Sequence, residues 1–163
     1  MLGDKIHEMA RQLCGLIQVP IENTSESQRQ VLATFAFGMV WGVADAEELK
    51  YPDIYGFGLT MLTDVFKYSI HQAVRFMNLL VKCSSPTDCP NAAVNAVMYH
   101  GVEGYRQWGA GDSEALQANL QHVLEAISGH IGDGLTNDVD KRITKPRGSP
   151  IVPERGFAHI AVE

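Results

Sequence analysis

No stretch of about 18 consecutive apolar residues occurs in this 163-residue chain, so nothing in it reads as a membrane-spanning helix. The opening MLGDKIHEMARQLCGLIQ lacks the basic start and unbroken apolar core of a secretory leader, so a reducing cytoplasm is the expected compartment. Basic residues are scarce. Thirteen Lys and Arg stand against nineteen Asp and Glu, a formal charge of −6. This argues against nucleic acid as a partner, because phosphate contacts need clustered Lys and Arg. Cysteines number only three, and Cys14, Cys83 and Cys89 have no framework spacing. Cys83 and Cys89 flank SSPTD and could pair if oxidised, but the expected state is two ordinary thiols at the ends of a loop.

Catalytic signatures are missing too. There is no Gly-x-Ser-x-Gly elbow, and no glycine-rich loop follows a strand. Cys14 falls on an apolar helical face beside Leu13 and Leu16, which suits a core position better than a reactive thiolate. Glu47 and Glu48 are neighbours, and adjacent residues on a helix point about 100° apart, too far to share a proton. No segment before residue 131 alternates with the period of a strand.

What is present is helical periodicity. Ile6, Met9, Ala10, Leu13, Leu16 and Ile17 form one apolar stripe, ended by Pro20. Thr24 or Ser25 can cap the next helix, whose run from Val31 to Val43 becomes apolar nearly all round and marks a central buried helix. Gly38 and Gly42 lie one turn apart on it. Each costs about 1 kcal/mol of helix propensity relative to Ala, which points to close approach of a neighbouring helix. ADAEELKYPD turns the chain at Pro52, and Ile54 to Val81 reads as two helices or one bent one. After the CSSPTDCPN loop, Pro90 suits the first turn of a helix running to Trp108. Asp112 or Ser113 caps a last helix with Gly129 beyond it. The expected architecture is all-α, a five- to six-helix bundle over residues 1–131. A Gly- and Pro-containing, largely irregular extended tail follows over 132–163. The acidity belongs to the bundle: residues 1–131 hold eight Lys/Arg and fourteen Asp/Glu, whereas the tail holds five of each.

Helical bundles build metal sites from inward-facing Glu and His. His71, His100 and His122 fall on three expected helices, with Glu103 one turn after His100. Such a shell would suit zinc or iron, and would make the chain a metal-dependent enzyme or a small-ligand sensor. The order argues against it. Di-iron bundles use Glu-x-x-His twice, whereas this chain has His-x-x-Glu once, and His122 is flanked by the polar Asn119 and Glu125. The favoured reading leans to a non-enzymatic protein with no cofactor, and the four-residue shell is the alternative.

The densest stretch, YHGVEGYRQW at 99–108, resolves into stripes. Val97, Gly101, Gly104 and Trp108 share a face with small residues in the middle, which fits a tight helix crossing. His100, Glu103 and Gln107 form the neighbouring stripe. The Gly-bearing helices also offer a surface on which two copies could pair.

VMYHGVEGYRQW followed by GDSEALQANLQHVLEAI resembles the C-terminal helices of all-helical bacterial immunity proteins of polymorphic toxin systems, the family catalogued as immunity protein forty-eight. The likeness rests on His100, Gly101, Glu103, Gly104 and Tyr105 and on the helix from Ser113 to Ile127, with support from LTDVFKYSIHQAVRFM. It does not extend to the tail. The resemblance implies a protector made beside a toxin, which binds that toxin tightly in the same cytoplasm. An acidic bundle suits a toxin with a basic cleft, because complementary charge speeds encounter while buried aromatics hold the complex. The candidate contact residues are Asp45, Glu47, Glu48 and Asp53, with Tyr51 and Tyr55 as anchors; the plainer alternative is a solvated helix end. His100, Glu103 and Tyr105 are expected to serve the fold first.

Overall fold

Caps and breakers set the helix boundaries in the computed structural model, which describes residues 1–128. α1 spans Leu2–Gly15, and a single 3-10 turn follows at Ile21–Asn23. Ser25, not Thr24, opens α2 (Glu26–Ala46). Its hydroxyl accepts from the Gln28 amide at 3.1 Å while the Gln28 side chain accepts from the Ser25 amide at 3.2 Å. This reciprocal box satisfies two amides that the helix start would otherwise leave open. Thr24 instead donates its hydroxyl to the Ile21 carbonyl at 2.6 Å.

α3 (Tyr51–Asp64) carries Pro52 in its first turn, where no amide hydrogen is needed. The stretch from Ile54 to Val81 is two helices, since a second box between Ser69 and Gln72 starts α4 at Ile70–Lys82. α5 spans Ala92–Gly109. Pro90 lies just outside it rather than in its first turn, because the Asn91 side chain takes the cap by accepting from the Ala93 amide at 3.0 Å. Asp112 does the same for α6 (Ser113–Ser128), accepting from the Ala115 amide at 3.0 Å. The fold is all-α with six helices, and no strand occurs among the described residues. No helix among them is long and apolar enough to cross a membrane. The expected Gly129 cap and the expected extended tail over 132–163 lie outside the described residues.

α2 is the axis of the bundle. Every residue from Val31 to Ala44 is buried, and α1, α3, α5 and α6 all pack against it. Its one buried polar side chain, Thr34, donates back to the Gln30 carbonyl at 2.7 Å. α5 crosses it with backbone touching backbone. A methyl group on Gly38 would overlap the Met98 carbonyl, and one on Gly101 would overlap the Phe35 carbonyl. Gly42 lies under the Tyr105 ring and Gly104 under Phe35. The glycines that could have paired two copies are thus occupied by the chain's own helix crossing.

Cys83 and Cys89 are not separate thiols: they form a disulfide in the structure, correcting the expectation of two free ends. The reason is the fold of the loop. Amides of Asp88 and Cys89 donate back to the Ser85 carbonyl at 3.2 and 3.1 Å, which returns Cys89 to the end of α4. Asn95 of α5 then donates to the Cys83 carbonyl at 2.7 Å, seating the junction on the core.

Candidate functional site

The turn joining α2 to α3 holds Glu47 and Glu48, with Asp45 just before it on α2 and Tyr51, Asp53 and Tyr55 just after it on α3, and its backbone is specific. The Leu49 amide donates to the Ala44 carbonyl at 2.9 Å and the Glu48 amide to the Asp45 carbonyl at 3.4 Å, closing the helix in a Schellman motif. Glu48 occupies its left-handed position with φ +52°, a place that favours glycine because a Cβ crowds the following carbonyl.

The charges also run against the fold. Asp45, Glu47 and Glu48 are exposed at the C-terminus of α2, whose last turn has no basic residue. The unpaired carbonyls there make that end negative, so each acid is disfavoured by about 0.3–1 kcal/mol. Asp53, in the first turn of α3, is placed favourably. Lys50 is exposed in the same turn, and the Lys5 ammonium of α1 lies 3.4 Å from the Glu47 carboxylate. Two cations therefore offset part of the four carboxylates, and the turn stays net acidic.

Tyr51 and Tyr55 supply its apolar part. Their rings meet edge-on, with centroids 6.0 Å apart at 61°, and both are half-buried. The Tyr55 hydroxyl donates to Asn78 of α4 at 3.5 Å. The Tyr51 hydroxyl is held above its ordinary pKa, first by burial and then by the neighbouring Tyr55. Lys5 also lies 5.9 Å from the centre of the Tyr105 ring, which stacks beside Trp108. No pattern in the sequence marks Lys5, because its partners stand 42 and 100 positions away.

YHGVEGYRQW forms part of the inner wall of the bundle. His100 is 5% exposed. Asn119 of α6 donates its amide to the His100 carbonyl at 3.0 Å and to Gln107 at 3.1 Å, so its oxygen faces His100 Nδ1 at 2.7 Å and accepts from it. Glu103 pairs with Arg106 at 2.9 Å. Gly101, Gly104 and Tyr105 make the crossing with α2. Of the four alternative metal ligands, only His100 and His122 come together, with ring centroids 5.7 Å apart. His71 is exposed on α4, and Glu103 is engaged by Arg106. Among the described residues no group of three or more His, Cys, Asp or Glu could hold an ion. Cys14, half-buried on α1, has its thiol pushed up to about 11 by burial, which removes it as a nucleophile at neutral pH.

A family model described as immunity protein 48 matches residues 3–128. The chain belongs to that family. Membership of an immunity-protein family implies a toxin-neutralising role and a toxin as partner. The match covers all six helices, well beyond the α5–α6 pieces and the supporting stretch from Leu62 to Met77 on which the resemblance rested. No curated protein and no solved structure matches the chain.

Proposed function

We propose that this chain is the non-enzymatic antidote to one cognate bacterial toxin, and that it acts by binding the toxin tightly through the α2–α3 turn. The family match over 3–128 carries the reading of function. The turn supports the choice of surface. Three acids sit where the helix end disfavours them, and one of them adopts a backbone that favours glycine. Charges that work against the helix end are better explained by a role outside the fold, whereas the left-handed backbone also occurs at Gln18 and Lys67 and does not by itself single out this turn. An acidic rim beside two half-buried tyrosines would suit a basic, substrate-binding cleft. The acids would steer encounter and the rings would be buried on contact.

The test is an affinity capture from the native lysate with the full chain as bait. The expected result is one stoichiometric protein that arrests growth when expressed alone and is silenced when this chain is co-expressed. A captured protein without toxicity, or toxicity that this chain does not relieve, would overturn the reading. Light scattering of the purified chain checks its stoichiometry. A dimer would have to use some surface other than the buried glycines.

A further inference from the structure

Lys5 occupies a seat that three helices build at the edge of the acidic turn. Its ammonium lies 3.4 Å from the Glu47 carboxylate at the end of α2 and 5.9 Å from the centre of the Tyr105 ring of α5. Gly42, about a turn and a half before Glu47, leaves the space in which that ring rests against α2. Trp108 stacks beside Tyr105 with centroids 6.3 Å apart at 28°, and its indole N–H donates to Gln12 of α1 at 2.7 Å. The ring pair is thereby fixed between α1 and α5, while the seat itself stays open. The side chains of Lys5 and Glu47 are 37% and 45% exposed, and both rings are half-buried. A carboxylate beside an aromatic face is a pairing that recognises a cation.

We propose that this seat receives an arginine side chain of the toxin, and that Lys5 is its internal placeholder. The proposal rests on the reading of the α2–α3 turn as the toxin-binding surface, and extends that surface onto α1 and α5. First, the seat already holds a cation. Second, Lys5 fills it loosely. Charge-assisted N–H···O bonds run to about 2.7–2.9 Å, and a cation interacts with a ring within about 6 Å, so the ammonium is long to Glu47 and at the limit for Tyr105. Third, a guanidinium satisfies both partners at once. Its planar fork donates two N–H groups to the carboxylate while its face lies on the ring, whereas an ammonium is a compact, strongly hydrated point charge. Exchange is easy, because exposed pairs such as Lys5–Glu47 hold weakly and the displaced ammonium returns to water. The turn stays net acidic with Lys5 in place, so the incoming charge is attracted throughout its approach.

The full chain alone gives the first test. Lys5→Ala empties the seat, and millimolar N-acetylarginine amide should then shift the Tyr105 ring and Trp108 indole NMR signals about threefold more than its neutral isostere, N-acetylcitrulline amide. Adding Glu47→Gln should abolish the difference. Equal shifts with the two probes, or a difference that survives Glu47→Gln, would overturn the proposal whether or not a toxin is captured. The complex gives the second test. Lys5→Arg fills the seat at constant charge, so toxin dissociation should quicken about threefold, while Lys5→Ala should slow it by about as much. Lys50→Ala removes a charge from the same turn without emptying the seat, and should leave dissociation unchanged. Dissociation unaltered by both Lys5 variants, or slowed equally by Lys50→Ala, would overturn the seat and leave the antidote reading standing on the captured toxin.

Discussion

Single residues decide whether this fold closes. Gly38 and Gly101 face each other where α2 and α5 touch, and what blocks a methyl group at each is backbone, which cannot rotate away. Gly38→Ala and Gly101→Ala should each destabilise by about 3 kcal/mol, at the upper end of typical overpacking. Gly56, on the exposed side of α3 with nothing near its missing Cβ, is the control. Gly56→Ala should stabilise by up to about 1 kcal/mol through helix propensity alone. Urea midpoints of the three variants separate close approach from propensity, and equal shifts would refute the crossing. Glu48 poses the opposite case, a bulky residue where glycine is preferred. Glu48→Gly should raise stability by about 1 kcal/mol while weakening the toxin complex. A variant that gains stability and keeps full affinity would show that the strain does not serve binding.

At the scale of helices, local chemistry was legible and long-range closure was not. Apolar spacing located the helical segments because each buries a stripe, but it left Ile54 to Val81 as one bent helix or two, which the Ser69–Gln72 cap decides. The continuous run from Val31 to Ala44 marked α2 as central, since only a helix covered on every side can be apolar all round. The small faces of α2 and α5 could be read as a tight crossing, but not whether they met each other or a second copy. The six candidate residues could be grouped from sequence because they fall close together between Asp45 and Tyr55. Lys5, which pairs with Glu47 from α1, was not, because helix packing alone brings them together. The disulfide was missed for a related reason: spacing leaves both states open, and the folded loop selects one. Closing a loop with a sequence separation of 6, the bond should contribute about 2 kcal/mol by loop entropy. Cys83→Ser with Cys89→Ser should lose that amount in urea unfolding, and the natural chain should lose as much on reduction. Unfolding unaffected by reductant would mean that the bond is not formed in solution.

The whole molecule carries −6 while residues 132–163 are balanced, so its field originates in the helices. Surface acids of this kind act mainly on the approach of a partner, because screening leaves them little energy once water surrounds the pair. Reversing Asp45, Glu47 and Glu48 to Lys together should therefore slow association with the toxin by about ten- to a hundredfold at low salt, with a much smaller change in dissociation. The difference should shrink as ionic strength rises and the Debye length falls below about 10 Å. Loss of binding by unfolding would look superficially similar, but the signs differ. Lysines at the C-terminus of α2 complement the helix end, so the triple variant should be at least as stable as the natural chain, even without the Lys5–Glu47 pair. Stopped-flow association across a salt series, with thermal unfolding measured beside it, separates the two. Slower association with an unchanged or raised midpoint places the toxin on the α2–α3 turn. An unchanged rate at low salt would move the interface elsewhere on the bundle and leave the family's role without this surface.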